Sequence, residues 1–441
     1  MAVWQNCKNN AEAAVAIKSI KINKYIRRSL VCFMFLFNVL AYANSGTVMD
    51  LNGQLKASLE AFIQENHLAG AVLSYKLRSH DPATLAVGYQ DVEKKTPLSP
   101  DSYFAIGSAT KVFLSSQIMQ QVALGKITVN ETLLQVARKY PGKRHVLLEL
   151  VEQYPHLGII TLRQYLTHTS GIGKSLNSEL FIKEYNKNPM GYWDSKQLIT
   201  IAMQRPPYFA PGTKGLYSYT NTDYEVMSMV LEAVTGKSLY ENMTRFFHET
   251  GLENIYYTLP RGENLPPEVM RQMAHAYVLP ESVYFDLPMF ESLGTVTFPG
   301  GQIAKDITPY SINFAAIGAA SGGIIAQPKT LVNWYWKLFH SGVVPQKVFD
   351  QMLDAVPTGT PDKQSGFGII IQTSKKYGTI YGHSGISYGY AANVVYVPKY
   401  NIVFSVAVNA STKDPDKLID TMVMNTLAIL AKKNLGAASL K

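Results

Sequence analysis

Cysteine is almost absent. The only two, Cys7 and Cys32, fall in the first 43 residues, so the rest of the chain can form no disulfide and offers no thiol nucleophile. Histidine runs out early as well, the last of nine being His383. Neither a His-Glu-x-x-His run nor a cysteine pair is present, so no metal centre is indicated and no cofactor is expected. A polybasic block is also missing. The formal net charge of +9 drops to +4, 35 basic against 31 acidic residues, once residues 1–43 are set aside. Nucleic acid is therefore not an expected partner. The longest apolar run, Leu30 to Leu40, is shorter than the roughly 20 residues a membrane-spanning helix needs.

What is present begins with that run. Lys18, Lys21, Lys24, Arg27 and Arg28 precede it, and Ala41-Tyr42-Ala43 follows as a small-x-small cleavage pattern. This reads as a secretory signal peptide over residues 1–43, cut after Ala43, and predicts a periplasmic or secreted protein. An uncleaved leader would instead give peripheral membrane association. Cys32 opens the apolar run rather than following it, which argues against a lipoprotein acceptor.

Apolar residues make up 47% and charged residues 17% of the 441, the balance of a globular chain. Gly70 to Tyr75 and Thr84 to Tyr89 read as strands joined by the turn-rich Ser79-His-Asp-Pro82. Helical periodicity follows at 109–124, 146–153, 162–166 and 224–234, the first and last stopped by Gly125 and Gly236. Strand patterns return at 366–372, 378–381, 392–397 and 402–408, and an amphipathic helix closes at 418–432. Strands at both ends with helices between predict one antiparallel sheet flanked by helices, built from both ends of the chain (about 51–105 and 315–431), with a mainly helical insertion at about 106–314 and a tail at 432–441. The stretch 261–314, rich in Pro, Tyr, Phe and Gly, shows little periodicity and reads as a long functional loop.

Three constellations carry chemistry. In Phe104-Ala-Ile-Gly-Ser-Ala-Thr-Lys111, Ser108 and Lys111 stand three apart, one helix face, and this is the only Ser-x-x-Lys in the chain. A serine at a helix start offers its hydroxyl and N–H where the dipole favours an oxyanion. A lysine buried beside it has a lowered pKa and can accept the hydroxyl proton as a neutral amine. In Tyr217-Ser-Tyr-Thr-Asn-Thr-Asp-Tyr224, read as extended, Tyr219 and Asn221 point the same way and can offer a phenol and an amide. In Tyr381-Gly-His-Ser-Gly-Ile386, Gly385 lets a substrate backbone approach, and His383 can donate to a substrate carboxylate. Gly385-Ile-Ser-Tyr-Gly389 mimics the nucleophile elbow of α/β-hydrolases, but no histidine follows Ser387 to complete that triad. Gly171-Ile-Gly-Lys-Ser175 likewise fails as a phosphate loop, because His168 occupies the first glycine position.

Ser-x-x-Lys, Tyr-x-Asn and His-x-Gly in this order resemble the serine β-lactamase and penicillin-binding-protein superfamily, in the branch of class C β-lactamases, D-Ala-D-Ala carboxypeptidases, D-aminopeptidases and β-lactamase-like esterases. Thr161 to Ile172, Phe209-Ala-Pro-Gly212, Val234-Thr-Gly-Lys237 and Ala320 to Ile324 belong to the same likeness, which covers about 51–431. It implies Ser108 as the acylated nucleophile and Lys111 with Tyr219 as the proton-transfer pair. Asn221, His383, Ser384 and Gly385 would bind substrate, and the backbone N–H groups of Ser108 and Ile386 would form the oxyanion hole. His168 has no role in that scheme.

His383-Ser-Gly385 stands where class C enzymes usually carry Lys-Thr-Gly, and the class A deacylation pattern is missing. The expected activity is therefore a D-stereospecific peptidase or DD-carboxypeptidase, then a small-ester hydrolase, then a β-lactamase, with a small molecule or peptide as partner. An acylatable binding or sensor domain is the non-enzymatic alternative, against which the presence of Ser108, Lys111, Tyr219 and Asn221 argues. A cationic His383 holding a carboxylate predicts activity that falls as pH rises through its pKa of about 6.5. The aromatic stretch with Tyr284, Phe285, Met289 and Phe290 is expected to cover the site.

Overall fold

The computed structural model describes residues 50–438 except Ser79, 142–145 and Asn177, with side chains described as far as Lys432. The leader with its two cysteines, Ser79 in the first expected turn and the end of the tail lie outside the described residues. The chain divides into residues 1–55 and 56–441. Of the first unit, 50–55 are described and are helical. All that follows concerns the second.

A nine-stranded antiparallel sheet organises this unit. Its strands in chain order are β1 (Gly70–Leu77), β2 (Ala83–Asp91), β3 (Thr96–Pro97), β4 (Val356–Pro357), β5 (Lys363–Ser365), β6 (Ile370–Ser374), β7 (Gly378–Ser387), β8 (Tyr390–Val397) and β9 (Ile402–Val408). Their spatial order is β4-β5-β6-β7-β8-β9-β1-β2-β3. The two ends of the chain meet where β1 pairs with β9, from Ala71 opposite Val408 to Leu77 opposite Ile402. Ile-Val-Phe-Ser-Val-Ala-Val of β9 is buried at every position, as β-branched residues in a central strand covered on both faces should be.

Side chains alternate across the sheet, and the register sorts β7 and β8 into two faces. Tyr381 opposite Tyr396 and His383 opposite Val394 share one; Gly382 opposite Val395 and Ser384 opposite Asn393 share the other. Helix α3 (Pro328–His340) packs on the first face, where Phe339 meets Tyr396 at 4.6 Å and Tyr381 at 5.3 Å. Helix α4 (Pro415–Ala438) runs along β7, β8 and β9.

Between the sheet segments lies the helical region with α1 (Thr110–Ala123) and α2 (Asn221–Thr235). Phe113 of α1 stacks on Trp334 of α3 at 4.8 Å, anchoring the start of α1 in the core. Three readings of the sequence need correction. The helix expected at 224–234 starts at Asn221, not Tyr224, because the Thr220 side chain caps it by accepting from the Thr222 N–H at 3.2 Å. The strand expected at 366–372 starts at Ile370, because Gly368 turns with φ +71° against the backbone of Lys111. The stretch 261–314 is not an open loop: it holds helices Pro267–Gln272 and Thr308–Ile317 and strands Tyr277–Val278, Thr295–Thr297 and Ile303–Asp306. Strands of two to four residues are too short to show a period. Among the described residues no helix is long and apolar enough to cross a membrane.

Candidate active site

Ser108 sits in a single 3₁₀ turn, Gly107–Ala109, immediately before α1. Gly107 takes φ +49°, and a Cβ there would lie 2.7 Å from the Ile386 nitrogen. A Cβ on Gly385 would lie 1.8 Å from the Ile106 carbonyl oxygen and 2.9 Å from the Ser108 nitrogen. Two glycines thus allow the serine turn to dock directly on β7, bringing the Ser108 and Ile386 backbones side by side.

One turn along, Lys111 is wholly enclosed. Its Nζ is 3.0 Å from Ser108 Oγ, and it donates to Asn221 Oδ1 at 2.7 Å and to the Ser321 carbonyl at 3.1 Å. Loss of solvent lowers its pKa to about 7, with the Glu225 and Asp223 carboxyls pulling the other way. Near neutral pH a sizeable fraction is therefore a free amine, for which Ser108 is the only hydroxyl among its bonded neighbours. The Nζ also lies over the rings of Tyr219 and Tyr224, at 5.0 and 5.4 Å. The Tyr219 hydroxyl is buried beside Ser108, and burial holds its pKa well above 10, with the Ser108 hydrogen bond pulling the other way. At neutral pH it remains a proton donor.

Ser108, Tyr219, Asn221, His383, Ser384 and Ile386 line one cavity of about 750 Å³. Lys111 closes it from behind, and Gly385 serves the docking of the serine turn. Although Asn221 opens a helix instead of continuing an extended segment, it reaches the same cavity as Tyr219.

His383 departs from the expectation. It is 5% exposed, its Nδ1 lies 2.5 Å from the Ser384 carbonyl, and burial followed by the nearby Lys111 pushes its pKa down to about 3. A carbonyl can only accept, so Nδ1 carries the hydrogen and Nε2 is left with a lone pair. The ring is neutral at working pH and cannot anchor a carboxylate as a cation. The aromatic stretch is corrected too: Tyr284 lines the cavity, whereas Phe290 is enclosed beneath it and Phe285 packs on Lys305. The apolar end of the cavity is instead built on Phe314, stacked on Tyr388 at 3.7 Å, and Leu176.

Sequence reasoning missed the layer behind Lys111. His168 Nδ1 lies 2.9 Å from Asp223 Oδ2, and Ser170 donates to Asp223 Oδ1 at 2.6 Å. The His168 ring packs 4.4 Å from that of Tyr219. Glu225, two residues beyond Asp223, is also enclosed and accepts from Ser195 at 2.7 Å; burial raises its pKa to about 7. A visible signal was the pair of acids at 223 and 225 at the start of a helix whose next residues, Val226 and Met227, are apolar.

A family model described as beta-lactamase matches residues 55–428. The chain is similar in structure to the D-amino acid amidase of Ochrobactrum anthropi SV3 solved with L-phenylalanine amide, with a TM-score of 0.70 and 18% identity over 87% of this chain and 99% of that one. The D-stereospecific amidohydrolase of a Streptomyces species gives 0.63 and 21%, covering 84% and 98%. In sequence, Protein flp of Staphylococcus aureus strain COL is 24% identical over 209 residues. That stretch is 47% of this chain and 38% of Protein flp, so the match spans well under half of the relative's length. At these identities the structural likeness establishes the fold.

Proposed function

Because the chain belongs to the beta-lactamase family of hydrolases, we propose that it cleaves an amide or ester through an acyl group carried on Ser108. The observation that carries this reading is the 3.0 Å contact between Ser108 Oγ and an enclosed Lys111 whose pKa lies near 7. In the proposed reaction neutral Lys111 takes the hydroxyl proton as Oγ attacks the substrate carbonyl. The Ser108 and Ile386 N–H groups bind the oxyanion, which is the term with the largest leverage in acyl transfer. Tyr219, held protonated, gives its proton to the departing amine or alcohol and regains one from Lys111. Water then enters, loses a proton to the same pair and releases the acid, regenerating Ser108.

Among acyl donors we favour D-configured amides and small esters without a free carboxylate beside the scissile bond. Neutral His383 supports this choice over a DD-carboxypeptidase, and the amidases similar in structure are named for D-stereospecificity. The apolar end at Leu176, Phe314 and Tyr388 suits a hydrophobic side chain. The reading includes export by cleavage after Ala43, which N-terminal sequencing of the mature protein tests: Asn44 first supports it, Met1 first contradicts it.

Turnover of paired D- and L-amino acid amides and of short p-nitrophenyl esters, with Ser108→Ala as control, tests the activity. The expected result is preference for the D-amide and no turnover in the variant. Equal rates on both enantiomers, or full activity in Ser108→Ala, would overturn it.

A further inference from the structure

The cavity does not end at the nucleophile. Register places Ile370 opposite Gly382, Gln372 opposite Ile380, Gly382 opposite Val395, and Ser384 opposite Asn393. These residues share the face of β6, β7 and β8 turned away from the His383 side chain. All of them line the cavity, as do Asp416, Asp420 and Val423 of α4. A second compartment therefore lies between the sheet and α4, with Ile370, Ile380, Val395 and Val423 as apolar wall.

Its unpartnered buried polar atom is an acceptor. Asn393 is 7% exposed, and its Oδ1 is enclosed without a partner. A buried amide oxygen left unbonded costs about 1–3 kcal/mol, which a donor entering the compartment would recover. Asp416 stands at the mouth, where lost solvent and then the carboxylates of Asp420 and Asp414 raise its pKa, with the Ser384 hydroxyl and the Lys363 charge pulling the other way. Of the two lysines on the lining, Lys363 is committed to Asp420 at 2.8 Å, and Lys413 lies exposed beside Asp414. An apolar wall that ends in one unfilled acceptor, Asn393 Oδ1, beside the acidic Asp416 fits an aliphatic chain tipped with a cationic N–H donor.

We propose that this compartment is a subsite for an ω-ammonium alkyl group, with Asn393 and Asp416 as its recognition pair. That the occupant is an arm of the substrate rests on the Ser108 reading; the binding itself does not.

The test is titration of the full-length protein, by calorimetry, with three probes of one length: 6-aminohexanamide, hexanamide and the half-amide of hexanedioic acid. The amine is expected to bind at least about tenfold more tightly than hexanamide, the factor equivalent to 1.4 kcal/mol, and the acid more weakly than either. Asp416→Asn, an exposed change that leaves the fold intact, and Asn393→Leu should each remove most of the difference. Equal binding of all three probes, no binding of any, or amine binding that both variants leave unchanged would overturn the subsite. If the amine binds as expected but Ser108→Ala retains turnover, the hydrolytic reading fails and the subsite stands.

Discussion

His168 and Asp223 meet at 2.9 Å with neither side chain exposed. Burial pushes the Asp223 carboxyl well up and the His168 imidazole well down, the latter aided by Lys111. Both shifts favour a neutral pair, in which the acid donates to Nδ1 while its other oxygen accepts from Ser170. Asparagine reproduces that pattern, donating with its amide N–H and accepting with its oxygen. Asp223→Asn should thus cost no more than about 1 kcal/mol in denaturant unfolding, whereas Asp223→Ala, which strands His168 and Ser170, should cost about 3 kcal/mol or more. An equally large loss in the asparagine variant would show that the pair is ionic.

In the proposed reaction Lys111 is expected to set the acidic limb of the rate profile. Its folded pKa is depressed to about 7, so the amine needed as base is present above that pH and lost below it. On a neutral amide, kcat/KM should rise with pH and level off above about 7. Lys111→Met should lower kcat by about 10²–10⁴ and abolish that limb. A profile in the variant that parallels wild type would transfer the base to another group.

His383 should leave no mark between pH 5.5 and 8. With its pKa pushed down to about 3, its charge does not change in that window. The ratio of KM values for a carboxylate-bearing substrate and its neutral amide should be flat there. A ratio that climbs through pH 6.5 would restore the cationic anchor expected from sequence.

Glycine separates site-building from ordinary turn-making. Gly385→Ala places a methyl group 1.8 Å from the Ile106 oxygen, and Gly107→Ala places one 2.6 Å from that of Ile386, both backbone atoms. Either variant should lose activity through displacement of the serine turn, with a stability loss above about 3 kcal/mol. Gly125→Ala also requires a positive φ, of +69°, but meets nothing within 4 Å, so it should cost only about 1–2 kcal/mol and leave kcat unchanged. Comparing unfolding midpoints and kcat across the three variants checks the distinction.

The sheet built from both chain ends was legible because β1 and β9 are long and bounded by turns, with β9 rich in β-branched residues, and the serine turn because Ser-x-x-Lys occurs once. Less legible were features that depend on contact across the fold. The short strands within 261–314 take their shape from partners such as Ala410–Ser411, which pairs with Tyr277–Val278. The protonation of His383 depends on enclosure and on Lys111, 272 positions away in the sequence. A histidine two residues before glycine reads the same whether it is wet or dry. The acceptor lining at Asn393 and Asp416 was equally hidden, since strand β8 and helix α4 form that compartment only when assembled.

The central claim is that Lys111 activates Ser108 for acylation. Its most direct test is rapid-quench intact mass and peptide mapping of the protein mixed with p-nitrophenyl acetate. The account predicts one acetyl group on the peptide carrying Ser108, formed slowly in Lys111→Met and not at all in Ser108→Ala. An acetyl group on any other residue that turns over at the steady-state rate, or ester hydrolysis in Ser108→Ala at the wild-type rate, would contradict it.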